Sequence, residues 1–140
     1  MAQASLMGVC DMDFFKIGGR SYNVLVTGIN EAFSILYSEN TGRTLAEGAE
    51  MALDPLGTFF SYKVKVRRKQ GYEAEFDDLC DYVSVPRKDG IDVEIVHNQT
   101  TWAFKAYVSN GSRDVVRIKE KVIWGEIELN IIPMKAQVLP

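Results

Sequence analysis

The side chains able to do covalent or metal chemistry are few in this chain. It carries one histidine, His97, and two cysteines, Cys10 and Cys80. With neither a second histidine nor a cysteine cluster, no common zinc site can be assembled. The two cysteines are too few for a disulfide scaffold and have no metal-ligand spacing, so both read as reduced thiols of a cytosolic protein. Cys80 falls on the apolar stripe of a predicted helix, and Cys10 in the N-terminal segment. His97 sits at a predicted hairpin tip, where a solvated polar residue is the plain expectation. No Gly-x-Ser-x-Gly elbow, Walker loop or dinucleotide fingerprint occurs. Gly18-Gly19 is too short for a phosphate cradle and is explained by a turn. The expectation is a non-enzymatic protein with no cofactor and no bound metal.

Charge is the more informative signal. Lys63, Lys65, Arg67, Arg68 and Lys69 concentrate cations just before a run of acids that includes Glu73, Asp77 and Asp81. Glu73/Asp77 and Asp77/Asp81 stand four apart, where like charges repel on a helix by about 0.3 kcal/mol. A solvated acidic face accounts for them, and so does a surface that meets a partner. The basic and acidic blocks can neutralise each other within one subunit. Alternatively, the basic edge of one copy meets the acidic helix of the next, as a head-to-tail ring requires. The net charge of -3 argues against a general nucleic-acid binder. Phe60 and Tyr62 lie beside the basic residues but on the other face of the strand, which disfavours a base-stacking platform. Trp124 alternates with core-facing residues and is a candidate interface residue or, with nearby tyrosines, part of a sugar-binding platform.

Hydrophobic periodicity indicates how these residues are held. The 140 residues fit a single domain with one core. Residues 14–17 and 22–26 read as a hairpin pivoting on Gly18-Gly19, with Phe33, Ile35 and Tyr37 marking a third strand. Residues 1–13 are small and mixed and are expected to be loosely held. Residues 38–58 form a long irregular stretch with a polar first half, 38–48, a short strand expected where Met51 and Leu53 alternate with Ala52 and Asp54, and a turn at Asp54-Pro55-Leu56-Gly57; the whole reads as a hairpin arm or partner-contacting loop. Phe60, Tyr62, Val64 and Val66 alternate cleanly with Ser61, Lys63, Lys65 and Arg67, predicting a strand with one buried face.

Tyr72, Phe76, Leu79, Cys80 and Val83 then form one helical stripe, with Pro86 beyond it as a stop. A hairpin over 92–96 and 102–108 follows, then a turn at Asn110-Gly111. The last strands are 115–118 and 122–132, with Ile123, Ile127, Leu129 and Ile131 on one side and Trp124, Glu126, Glu128 and Asn130 on the other. Strands, one helix, then strands again predict a mainly β fold: an antiparallel β-sandwich or partly closed barrel with a flanking helix. No apolar run approaches the roughly 20 residues that span a bilayer, and residues 1–13 lack the features of a secretory signal.

Several stretches give the chain a resemblance to tail components of long-tailed phages and prophages of Gram-positive bacteria. They are Phe14-Phe15-Lys16-Ile17-Gly18-Gly19, Val26-Thr27-Gly28-Ile29-Asn30-Glu31, Tyr37-Ser38-Glu39-Asn40-Thr41-Gly42-Arg43-Thr44 and Asn130-Ile131-Ile132-Pro133-Met134. The resemblance covers most of the chain as an order of elements. It implies a tail-tube-like or distal-tail hub-like β fold whose copies close into a ring, commonly a hexamer, around a channel through which DNA passes without specific binding. Partners would be further copies and other tail proteins, with no membrane. The setting would be the host bacterial cytoplasm during assembly and then the virion tail. Residues 38–58 would be the arm that reaches a neighbour.

The candidate interface residues are thus Ser38, Glu39, Asn40 and Arg43 on the arm, Lys63, Lys65, Arg67 and Arg68 on the basic block, Glu73, Asp77 and Asp81 on the helix, and Trp124. The alternative is a non-catalytic carbohydrate-binding β module built around Trp124.

Overall fold

The structure, a computed structural model, describes residues 15–45 and 47–140. The expectations for residues 1–13, for Cys10 and for Phe14 lie outside the described residues. Eight strands and one helix follow in the order β1 (Phe15–Ile17), β2 (Leu25–Tyr37), β3 (Gly42–Arg43), β4 (Met51–Ala52), β5 (Pro55–Arg67), α1 (Glu73–Val83), β6 (Ile91–His97), β7 (Thr100–Ile118) and β8 (Val122–Pro133). Six of them form one antiparallel sheet in the order β1-β6-β7-β8-β5-β2, while β3 and β4 make a separate two-stranded ladder. The fold is mainly β with one helix, as the alternation patterns predict. It is sandwich-like and not a closed barrel, because the edge strands β1 and β2 do not pair.

The core lies on the face of the sheet covered by α1. Tyr62, Val64 and Val66 of β5 point into it, with Ile127, Leu129 and Ile131 of β8, Ile91, Val93 and Ile95 of β6, and Phe15 and Ile17 of β1. The helix contributes Phe76, Leu79, Cys80 and Val83, all but one residue of the predicted stripe. Tyr72, the remaining one, sits at the N-cap and is exposed. Glu73 and Glu75 in the first turn suit the positive end of the helix dipole. At the other end Arg87 donates from Nη1 to the Tyr82 carbonyl at 2.5 Å and lies over the Tyr82 ring, reinforcing the Val85 N–H bond to the same last-turn acceptor.

Three expectations about the strands change. Gly18 and Gly19 do make a tight turn, both at positive φ, but β1 pairs with β6 and lies at the opposite edge of the sheet from β2. The alternation of Tyr22 and Val24 reflects burial in the core and not strand pairing: the Asn23 N–H donates to Glu75 of the helix at 3.0 Å. The chain thus passes along the helix before entering β2.

Secondly, the strands expected at 22–26 and 33–37 merge, from Leu25 onward, into one strand of 13 residues. Thirdly, Asn110-Gly111 is no turn but the middle of the 19-residue β7. A bulge at Ser109 sets Asn110 opposite Asn130, and the two side chains hydrogen-bond. Gly111 stands opposite Leu129, whose side chain lies 3.1 Å from where a Cβ would be.

Two ribbons extend beyond the core. β5 pairs with β8 from Tyr62↔Ile131 to Val66↔Ile127. Upstream of Tyr62, β5 continues with β2 into a first arm, capped by β3 and β4. Upstream of Ile127, β8 continues with β7 into a second arm. Because β5 and β8 are antiparallel, the two arms leave the sheet at opposite ends. The C-terminal segment supports the base of the first arm: the Thr58 N–H donates to the Val138 carbonyl, and the Gln137 amide bonds both backbone groups of Phe60.

Candidate assembly interface

The first arm carries Ser38, Glu39, Asn40 and Arg43 at its tip. The tip is ordered by short-range bonds. Ser38 Oγ donates to the Asp54 carboxylate, the Asn40 N–H donates to Ser38 Oγ at 3.1 Å, and Arg43 donates to the Ala49 carbonyl at 3.3 Å. Large apolar side chains along this arm face solvent: Phe33, Ile35, Leu36, Met51, Leu53 and Leu56, with Leu45 fully exposed. The second arm likewise exposes Val115, Val116, Ile118 and Val122. So many large apolar side chains exposed on two ribbons make the arms candidate places for something else to pack.

The basic block divides. Lys63 and Lys65 point away from the core on the outer face of β5, and Arg67 is exposed at the end of the strand. Lys65 pairs with Glu128 across the ladder at 3.9 Å. Arg68 turns towards the helix side and donates from Nη1 to the Trp124 carbonyl at 2.6 Å. The helix acids find partners elsewhere. Asp77 meets Arg113 at 3.4 Å, while Glu75 and Asp78 meet Arg20 at 3.8 and 3.7 Å. Among the described residues no salt bridge joins the basic block to the helix. Attraction between the two blocks within one subunit is therefore limited to the pull of Arg68 on Glu73. Glu73 is held below the usual carboxylate value by its own backbone N–H and that of Gly71, with smaller help from Lys121 and Arg68. Asp81 is exposed on the helix, away from the cleft described next.

Trp124 is not on the outer face. Arg113 stands opposite Ile127 and Val115 opposite Trp124, so β8 has one residue more than β7 over this interval. That bulge flips the alternation and turns Trp124 to the helix side, where it is half-buried with the Arg113 guanidinium 3.9 Å above its ring. The structure thereby gathers five of the candidates, Arg67, Arg68, Glu73, Asp77 and Trp124, around one cleft of about 660 Å³. Lys63 and Lys65 lie outside it, and the arm residues are at the far end of the molecule.

A second cluster had no clear signal in the sequence. β6 and β2 stand four places apart in the sheet, yet His97 Nδ1 lies 2.8 Å from Glu31 Oε2. The sheet must roll at this end to bring them together. Tyr62 also donates to Glu31, and Trp102 Nε1 donates to the Tyr62 oxygen at 3.0 Å. His97 stacks on Trp102 with centroids 3.8 Å apart, and Phe60 sets its edge against both rings. His97 is thus a half-buried clasp between the β6–β7 tip and the base of the first arm, and not the solvated turn residue expected. Its place opposite Glu31 depends on a bulge at Thr27, which puts Glu31 on the inner face opposite Tyr62.

Burial pushes the Tyr62 phenol up, and the neighbouring Glu31 carboxylate adds to this, so Tyr62 remains a donor. Partial burial pushes the Glu31 carboxyl up, but the hydrogen bonds from Tyr62 and His97 outweigh it and hold it below its ordinary value of 4.5. A carboxyl lowered in the folded state adds stability above its ordinary value and loses it as pH falls through the folded one. Chemical denaturation from pH 6 down to about pH 3 should therefore show an acid loss that Glu31→Gln reduces. Equal acid slopes for the two proteins would show that Glu31 does not couple to folding.

Burial also raises the Cys80 thiol to about 11, leaving it a packing group. Among the described residues no three His, Cys, Asp or Glu side chains come together to hold a metal ion. No known family matches the chain, and no curated protein is significantly similar to it in sequence.

Proposed function

We propose that this protein is a non-enzymatic structural subunit that self-assembles into a ring or tube, of the kind that builds the tail of a long-tailed phage or prophage. The observation that carries the reading is the pair of β-ribbon arms at opposite ends, each lined with exposed apolar side chains. The outer edge of β2 adds to it: 13 residues long and, among the described residues, without a neighbouring strand, it is an edge that another chain can extend. In this reading the partners are further copies, commonly six to a ring, and other tail proteins. DNA would be present only as cargo passing through a lumen.

Light scattering coupled to size exclusion over a concentration series, with negative-stain images of every peak, tests the proposal. Rings or tubes are expected, and deletion of residues 38–48 should abolish them while far-UV circular dichroism stays unchanged. A strict monomer at every concentration, with empty grids, would overturn it.

The cleft beside Trp124 favours a second reading, a non-catalytic carbohydrate-binding module. Trp124 lines this cleft with Arg67, Arg68, Gln70, Glu73 and Asp77, an aromatic ring beside polar groups of the kind that a sugar needs. Ligand-dependent Trp124 fluorescence in a Trp102→Phe background, from a protein that remains monomeric, would support this alternative.

A further inference from the structure

We infer that the tip of the first arm, residues 38–54, seats in the Trp124 cleft of a second copy of this chain. The inference rests on the self-assembly reading and specifies the contact that propagates it. Three observations support it.

The first is placement. The cleft is lined by Leu25 at the start of β2, Arg67 at the end of β5 and Val122–Trp124 at the start of β8, together with the first turns of α1. These strand ends are at the opposite end of the sheet from the first arm. β5 residues 55–61 precede its pairing with β8, and at about 3.3 Å per residue they carry the tip some 23 Å beyond that pairing. The arm cannot fold back into its own cleft. Any contact between tip and cleft is therefore between copies, and it is heterologous, so copies add head to tail until a ring closes.

The second is apolar fit. Leu45 stands fully in solvent at the tip, and Met51 and Leu53 are also exposed there. The cleft offers Trp124, Ile123, Val122 and Leu25 as its apolar lining. A volume of about 660 Å³ is in the range of cavities that bury several large groups at once. An aliphatic anchor entering an aromatic-walled cleft is the usual source of affinity at a protein interface.

The third is charge. The tip carries Glu39, Glu47, Glu50 and Asp54 against Arg43 alone. The cleft carries Arg67, Arg68 and Lys121 against Glu73 and Asp77, and Asp77 is paired with Arg113 at 3.4 Å, so the balance of charge at the cleft is positive. An acidic tip thus meets a wall whose remaining charge is positive, which favours this orientation over tip against tip.

The test uses two charge-reversed forms of the full chain. One carries Glu47→Lys and Glu50→Lys on the tip, the other Arg67→Glu and Lys121→Glu at the cleft; all four positions are exposed, so both forms should fold with unchanged circular dichroism. Each alone presents like charges at every tip–cleft contact and should assemble about ten-fold or more weakly than the parent in sedimentation velocity. Mixed in equal amounts they restore opposite charges at both kinds of contact, and assembly should return. Leu45→Asp should weaken assembly and should not be rescued by either form. If the parent assembles and both reversed forms assemble as well as it does, this contact is wrong while the subunit reading stands. A parent that stays monomeric at every concentration overturns both.

Discussion

Phe76→Ala is expected to destabilise the fold by about 3–5 kcal/mol, the usual cost of removing a buried phenylalanine. The ring is 1% exposed, in the first half of α1, with the Arg113 guanidinium 5.9 Å from its centroid. It belongs to the single stripe by which the helix closes the core. Truncation leaves a cavity that the strands cannot fill, because β5 and β8 are locked by their ladder. A domain of this size has about 5–15 kcal/mol in total, so the loss takes a large part of it. Arg113 would lose its aromatic neighbour and with it part of its hold on Trp124, which places the damage at the cleft end. Urea denaturation followed by tryptophan fluorescence measures the effect. A shift below about 1 kcal/mol would mean that the helix is not the lid of this core.

Trp102→Ala should act at the other end and cost about 3 kcal/mol. Its indole stacks on His97, meets Phe60 and Phe104 edge-on, and donates to the Tyr62 oxygen. Removing it deletes the apolar contacts and one bond of a chain running Trp102 to Tyr62 to Glu31, in which each bond polarises the next. Trp102→Phe keeps a ring but loses the donor, and should cost only about 1 kcal/mol. The pair of variants therefore separates stacking from hydrogen bonding. Limited proteolysis gives the local readout: cleavage near the base of the first arm should quicken in Trp102→Ala and hardly change in Trp102→Phe. Equal effects from both variants would show that the hydrogen bond, and not the stack, closes the clasp.

The clasp and the cleft bear on assembly in different ways. The clasp joins β6, β5 and β2 at the base of the first arm, so it sets the direction in which the ribbon leaves the sheet. The cleft lies at the ends of β2, β5 and β8 and is held by Arg68 and Arg113 on either side of Trp124. A rigid arm at one end and a preformed apolar cleft at the other lower the ordering cost of any head-to-tail contact.

What the sequence determined by itself is local. The alternation of Phe60, Tyr62, Val64 and Val66 marked β5 and its buried face. The stripe of Phe76, Leu79, Cys80 and Val83 marked α1, and the β6–β7 hairpin was legible from its flanking strands. Each of these signals is written in consecutive residues of one element, which is why periodicity finds them. The mainly β, antiparallel class followed from the same patterns.

Tertiary structure alone decided the rest. β1 crosses to β6 because Phe15 and Ile17 face Ile95 and Val93 there, a pairing between segments about 80 residues apart that no local pattern encodes. Trp124 faces the helix, and Glu31 faces Tyr62, because of bulges in β8 and β2. The bulge at Ser109 lets β7 run on through an Asn-Gly pair that reads locally as a turn. A bulge is a mismatch in count between two paired strands, so it belongs to the register of the pair and to neither sequence alone. One such residue inverts every side chain beyond it, and that inversion built both the cleft and the clasp.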